Sequence, residues 1–154
     1  MFAELPRLLE RAGPGMEQSG TITALFTVLV EGDDHNEPVA DAVRGIIDGQ
    51  VVLDRAIAER GRYPAVDVLR SLSRAVPGCN SAEENALTRR ARAVLALYAE
   101  MADLVRLGAY RAGSDPAEDE AVRIAPRIEA MLQQDRGTNV GLIDSFRQLQ
   151  AVFV

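Results

Sequence analysis

Lysine is absent from this 154-residue chain: all 17 basic side chains are arginine, set against 23 acids for a formal charge of −6. A self-sufficient P-loop nucleotide hydrolase grips phosphate with a lysine, so that class is excluded for the chain acting alone. There is one histidine, His35, and one cysteine, Cys79. A zinc cluster of His and Cys ligands and an internal disulfide are therefore excluded, and a lone thiol suits a reducing compartment. Tryptophan is missing and aromatics make up 5%, so the core has to come from Leu, Ile, Val and Ala. The 47% apolar content is enough for one. No apolar run reaches the roughly 18 residues of a membrane span. The opening MFAELPRLLERAG carries charges among its apolar residues, unlike a secretory leader. Net negative charge argues against non-specific nucleic-acid binding. A soluble cytoplasmic protein is expected, built as one domain or as one compact lobe with a small helical lobe.

Patterning divides the chain in two. Residues 2–12 read as a short amphipathic helix with Leu5, Leu8, Leu9 and Ala12 on one side, stopped by Gly13-Pro14-Gly15. Thr21 to Val30 is almost continuously apolar and β-branched, as in a strand covered on both faces within a parallel sheet. A polar loop, EGDDHNE, follows. Pro38 starts a helix to about Ile47, Asp48-Gly49 turns the chain, and Val51 to Leu53 is a second strand. Arg55 to Arg60 is a short helix ending at Gly61, and Pro64 to Leu69 is extended or irregular. From Gly78 onward the pattern is helical only. Ser81-Ala82-Glu83-Glu84 is a capping box. Behind it, Leu87, Ala91, Val94, Tyr98, Met101 and Val105 form one stripe of a long helix, closed by Gly108. Ser114-Asp115-Pro116 opens another helix, which Pro126 is expected to kink. A last helix carries Leu142, Phe146, Leu149 and Phe153. Two or three strands do not make a doubly covered sheet, so the strand at 21–30 calls for neighbours that this chain does not supply.

The residue types alone carry little chemistry. Asp33, Asp34, Glu37 and Asp41 read as a solvated acidic loop, with magnesium an alternative that lacks a phosphate cradle. His35 and Cys79 read as structural or exposed. The acids of SDPAEDE suit a helix N-terminus. Arg89, Arg90 and Arg92 read as the wet face of the long helix. Tyr63, in GRYPAVDVL, reads as a ring under a strand end, and Arg74, in SLSRAVPG, as a salt bridge or helix-end contact.

Longer signals go further. EGDDxxxP, DGxxVLDRxIAERGRYPAxD and SxSR, followed by LVRLGAYRAGSDPAEDEAV, resemble the export ATPases of flagellar and type III secretion, the flagellum-specific ATP synthase family. That family is similar to the catalytic and non-catalytic subunits of rotary ATP synthases. The resemblance spans essentially all 154 residues. It implies an α/β fold: the C-terminal portion of a RecA-like P-loop NTPase core over 1–77, then an all-α C-terminal helical lobe over 78–154. The family's phosphate loop, catalytic glutamate and magnesium-binding aspartate match no segment here. Gln50 stands where the family often has histidine.

The resemblance assigns roles residue by residue. Arg74 matches the arginine of SxSR, the finger that reaches across a subunit boundary to a neighbour's γ-phosphate. A planar, permanently charged guanidinium suits the charge that spreads over the phosphoryl oxygens. Tyr63 matches the tyrosine that stacks on adenine in cis, and Tyr110, in GAYRAG, is a second aromatic wall of that pocket. Asp33 and Asp34 match a loop facing the central pore, where a coiled-coil stalk passes. The expected assembly is a hexameric ring that binds ATP. Mg²⁺ would be held only in the full-length enzyme, without a ligand from this chain. Expected partners are the stalk, export chaperones and the export gate, with the protein cytoplasmic and peripheral to the inner membrane. The isolated chain is expected not to hydrolyse ATP. The alternative is a non-catalytic module that binds stalk, chaperone or the full-length ATPase.

Overall fold

The computed structural model describes residues 4–16, 19–30 and 38–154. The chain forms two compact units, Met1–Gln50 and Val51–Val154.

In the first unit, α1 (Leu5–Leu9) is shorter than the helical pattern at 2–12 suggests. Pro6 sits in its first turn, and only Leu9 is buried. Gly13 adopts φ +135°, a backbone that side-chain-bearing residues avoid, so the helix cannot run on. Gly13–Pro14 instead forms β1, which pairs antiparallel with β2 (Thr21–Ile22), Gly13 opposite Ile22 and Pro14 opposite Thr21. The long strand expected at 21–30 is thus realised at two residues only. Residues 23–30 have no regular secondary structure, and Leu25 and Leu29 are 98% and 91% exposed. The reason is physical: a strand's main-chain groups are satisfied only by neighbours, and among the described residues β1 alone pairs with this segment. The helix α2 (Pro38–Ile46) buries Ala40 and Val43 and packs against α1.

The second unit begins within β3 (Gly49–Leu53). Asp54 then caps α3 (Arg55–Glu59), its carboxylate accepting from the amides of Ala56 (2.7 Å) and Ile57 (3.3 Å). Gly61, at φ +83°, ends that helix. The stretch expected to be extended or irregular is β4 (Val66–Ser73), paired with β3 in a two-stranded sheet. A four-residue helix, α4 (Val76–Cys79), leads to α5 (Ala82–Arg106). The capping box forms as its sequence dictates. The Ser81 hydroxyl accepts from the Glu84 amide at 3.2 Å, and the Glu84 carboxylate accepts from the Ser81 amide at 2.8 Å. At the far end Gly108 takes φ +68°, and the amides of Gly108 and Ala109 bond the carbonyls of Val105 and Leu104.

Asp115 caps α6 (Pro116–Leu132), which runs through Pro126. Proline there has no N–H for the Val122 carbonyl. The last helix is α7 (Leu142–Val152). Helices α5, α6 and α7 close on a core of Ala91, Val94, Leu95, Ile124, Ala125, Ile128 and Val152, with Leu149 and Phe153 packed on it. Leu142, expected on the apolar stripe, is 69% exposed, whereas Val152, outside that stripe, is buried. The strand β4 lies against α5 and adds Val68 and Leu69 to the core's margin. Ile124 and Ile128, almost fully enclosed, contribute about 1.5–3 kcal/mol each by burial.

Candidate functional site

Tyr63, Arg74 and Tyr110 all fall in the second unit, each on a different connection. Tyr63 sits in the turn from α3 to β4, is 57% exposed, and is joined to Pro64 by a cis peptide bond. Its carbonyl accepts from the Gln134 amide just past α6, at 2.8 Å. The neighbouring Arg62 is buried, and each face of its guanidinium is used. Nε pairs with Glu129 of α6 at 2.7 Å, Nη2 donates to the Val66 carbonyl at 3.0 Å and Nη1 to that of Pro64 at 3.5 Å. A buried cation has to be paired this way to be tolerated. Arg62 and Pro64, flanking the tyrosine, also line a cleft of about 260 Å³ with Met131, Gln134 and Gln148. These contacts hold the turn while Tyr63 itself stays exposed.

Arg74 is exposed in the bend after β4, not within the core. Around it the chain is braced locally. The Ser73 hydroxyl accepts from the Val76 amide at 3.3 Å, and the Asn85 side chain of α5 donates to the carbonyls of Pro77 (3.0 Å) and Asn80 (3.3 Å).

Tyr110 is half-buried in the loop from α5 to α6, and its hydroxyl donates to Asp119. That hydrogen bond, with the nearby negative charge, pushes the phenol up to about 12, because it holds the proton. The same bond, and a second from the Gly113 amide, lower the Asp119 carboxyl below its ordinary value. One acid of the SDPAEDE run therefore closes a loop as well as complementing a helix end.

The arginine cluster of α5 keeps the expected wet face at two positions of three. Arg89 and Arg90 are exposed, Arg90 pairing with Glu120 and lying 4.4 Å from the centroid of the Phe153 ring. Arg92 turns inward. It donates to the carbonyls of Val68, Leu69 (2.8 Å) and Ser71 (3.3 Å) of β4. Sequence reasoning missed Arg62, Arg92 and Glu129. For Arg92 a signal existed: Thr88, Arg92 and Leu95, at helical spacing, line one cleft with Val68, beside the Ala91–Val94 stripe. For Arg62 and Glu129, 67 positions apart, none existed.

Asp33, Asp34 and His35 lie outside the described residues. Cys79 is an exposed free thiol. Among the described residues no three His, Cys, Asp or Glu side chains gather where they could hold a metal ion. No described helix is long and apolar enough to cross a membrane.

The sequence pattern of the ATP synthase alpha/beta family, nucleotide-binding domain, matches residues 1–73, and that of the T3SS EscN ATPase C-terminal domain matches residues 80–151. The flagellum-specific ATP synthase of Caulobacter vibrioides is 57% identical over 97% of this chain, which spans 35% of that protein. The assembled ATPase EscN of the enteropathogenic E. coli type III secretion system superposes with a TM-score of 0.93 at 36% identity, over 99% of this chain and 37% of EscN. EscN in complex with its central stalk EscO gives 0.86 at 34% identity, over 99% of this chain and 36% of that one. The fold is therefore that of the export ATPases: part of an α/β nucleotide-binding core and a C-terminal helical lobe. The chain spans about a third of the length of the relatives it matches.

Proposed function

The chain belongs to the ATP synthase alpha/beta family over residues 1–73 and to the type III secretion ATPase C-terminal domain family over residues 80–151, and on that premise we propose that it serves an ATPase that energises flagellar or type III protein export. Its functional division falls at 77/78. The part before it supplies Tyr63 and Arg74, and the helical part after it supplies Tyr110 and meets cargo chaperones and the export gate. Tyr63 stacks on the adenine ring in cis, where stacking on an aromatic face is worth about 1–3 kcal/mol. Tyr110 adds a second wall. Arg74 acts in trans within a ring hexamer, binding the γ-phosphoryl oxygens of a neighbour's ATP as charge builds on them.

The observation that carries this reading is Arg74's place, exposed on a braced bend at the end of β4, from which a guanidinium can address another subunit. The open face of Tyr63 supports the adenine role. Magnesium belongs to residues of the full-length enzyme that this chain does not carry. Asp33 and Asp34 face the stalk, a role supported by the solved complex of EscN with EscO. The protein acts in the cytoplasm, at the inner-membrane face of the export apparatus.

The test is trans rescue. The chain alone is expected to show no ATP turnover, for lack of a phosphate-gripping lysine. Mixed with a full-length export ATPase whose own matching arginine is alanine, it is expected to restore activity, and Arg74→Ala is expected to abolish that rescue. A finger of this kind is worth about 10³–10⁵ in rate. Turnover by the isolated chain, or rescue that survives Arg74→Ala, overturns the reading. The exposed apolar run at 23–30 favours a second reading, a non-catalytic module that binds the full-length ATPase. Co-purification with the ring and a fall in its activity would support that one instead.

A further inference from the structure

Consecutive carbonyls of a regular strand point to opposite sides. In β4 they do not. The carbonyls of Val68 and Leu69 converge on the single guanidinium of Arg92, with that of Ser71 beside them. The cause is local: the Asp67 carboxylate accepts from the amides of Leu69 (2.9 Å) and Arg70 (3.0 Å), and the Ser71 hydroxyl donates to the Asp67 carbonyl. This turn within the strand brings three carbonyls of β4 to one side chain of α5. A guanidinium can answer several of them at once because its donors spread in a fixed plane. Three residues beyond Ser71 stands Arg74. Independently, the turn that carries Tyr63 is tied to α6 on both sides, by the Arg62–Glu129 pair and by the Gln134 amide on the Tyr63 carbonyl.

We propose that Arg92 of α5 and Glu129 of α6 are positioning residues: Arg92 fixes the bend that presents Arg74, and Glu129, through Arg62, fixes the turn that presents Tyr63. The inference rests on the roles given to Arg74 and Tyr63 above. The helical lobe therefore holds Arg74 and Tyr63 each through its own anchor.

Amide exchange on the full chain tests the anchors directly. Arg92→Gln is expected to speed exchange at residues 69–76 by about tenfold or more while the α6 and α7 amides hold, and Arg92→Lys is expected to restore part of the protection. Glu129→Gln is expected to act on residues 61–66 instead. Function is read in two further measurements: trans rescue of the arginine-deficient ring, and ATP binding followed by NMR at residues 61–66. Arg92→Gln is expected to lower rescue about tenfold more than it lowers ATP affinity, since a displacement of about 1 Å can cost 10²-fold in rate. Glu129→Gln is expected to do the reverse. Uniform loss of protection across the second unit, or equal losses in both measurements, overturns the proposal. If Arg74→Ala loses rescue and Arg92→Gln keeps it, only this inference falls. If Arg74→Ala keeps rescue, the reading of Arg74 itself falls.

Discussion

Residues 23–30 and residues 82–106 are both rich in apolar side chains, yet they fare oppositely. The first stretch leaves Leu25 and Leu29 in solvent, and the second becomes a helix of 25 residues with Ala91, Val94, Leu95 and Met101 buried. A helix satisfies its main chain within its own span and needs partners only for its stripe, which α6 and α7 supply. A strand cannot satisfy its main chain without a neighbour. Apolar content therefore measures what a segment could bury, and the availability of a partner decides whether it does.

That contrast can be broken by substitution. The largest effect is expected at Ile124, which has no exposed surface. Ile124→Ala is expected to cost about 2–5 kcal/mol in urea unfolding of the second unit, through lost burial and the cavity left behind. A cost under 1 kcal/mol would mean that the helical core is loosely packed. Next comes Ser81→Ala, which removes a cap and half of the capping box. It is expected to cost about 1 kcal/mol, read as a lower urea midpoint with an unchanged slope. By the same measurement Leu25→Ser is expected to stay within about 0.5 kcal/mol, because the side chain is already in water. A larger loss there would show that the run is packed in solution.

The Tyr110–Asp119 bond sharpens the comparison through pH. The Asp119 carboxyl is lowered in the fold, so its contribution is present above the ordinary carboxyl range and fades as pH falls through the lowered value. The Tyr110 phenol is raised from 10.0 to about 12, so its contribution is complete below pH 10.0 and fades between there and about 12. Tyr110→Phe is expected to flatten both limbs of the stability–pH curve. A curve that coincides with the parent's would sever the link.

How far the sequence could be read follows from the range of the interactions. The Ser81–Glu84 box, the Gly108 stop and the Asp115 cap involve residues a few positions apart, and each formed where its pattern stood. Long motifs such as GRYPAxD and SxSR placed the chain in its family, and the matches to 1–73 and 80–151 agree. The strand expected at 21–30 forms at two residues only, since among the described residues only β1 supplies the neighbour that such a run calls for. The arginines of α5 were read as one wet face, though Arg92 faces β4.

The sequence by itself determined α5, α6 and α7, the Ser81 and Asp115 caps, the Gly108 stop, and the family, because these depend on near neighbours or on ordered residue identities. Only the tertiary structure decided that Arg62 is buried against Glu129, that Arg92 answers the carbonyls of a bent strand, and that Tyr63 and Arg74 stand exposed on braced turns. Those outcomes depend on which main-chain groups and charges are left unsatisfied once distant segments have packed. No periodicity along the chain encodes that.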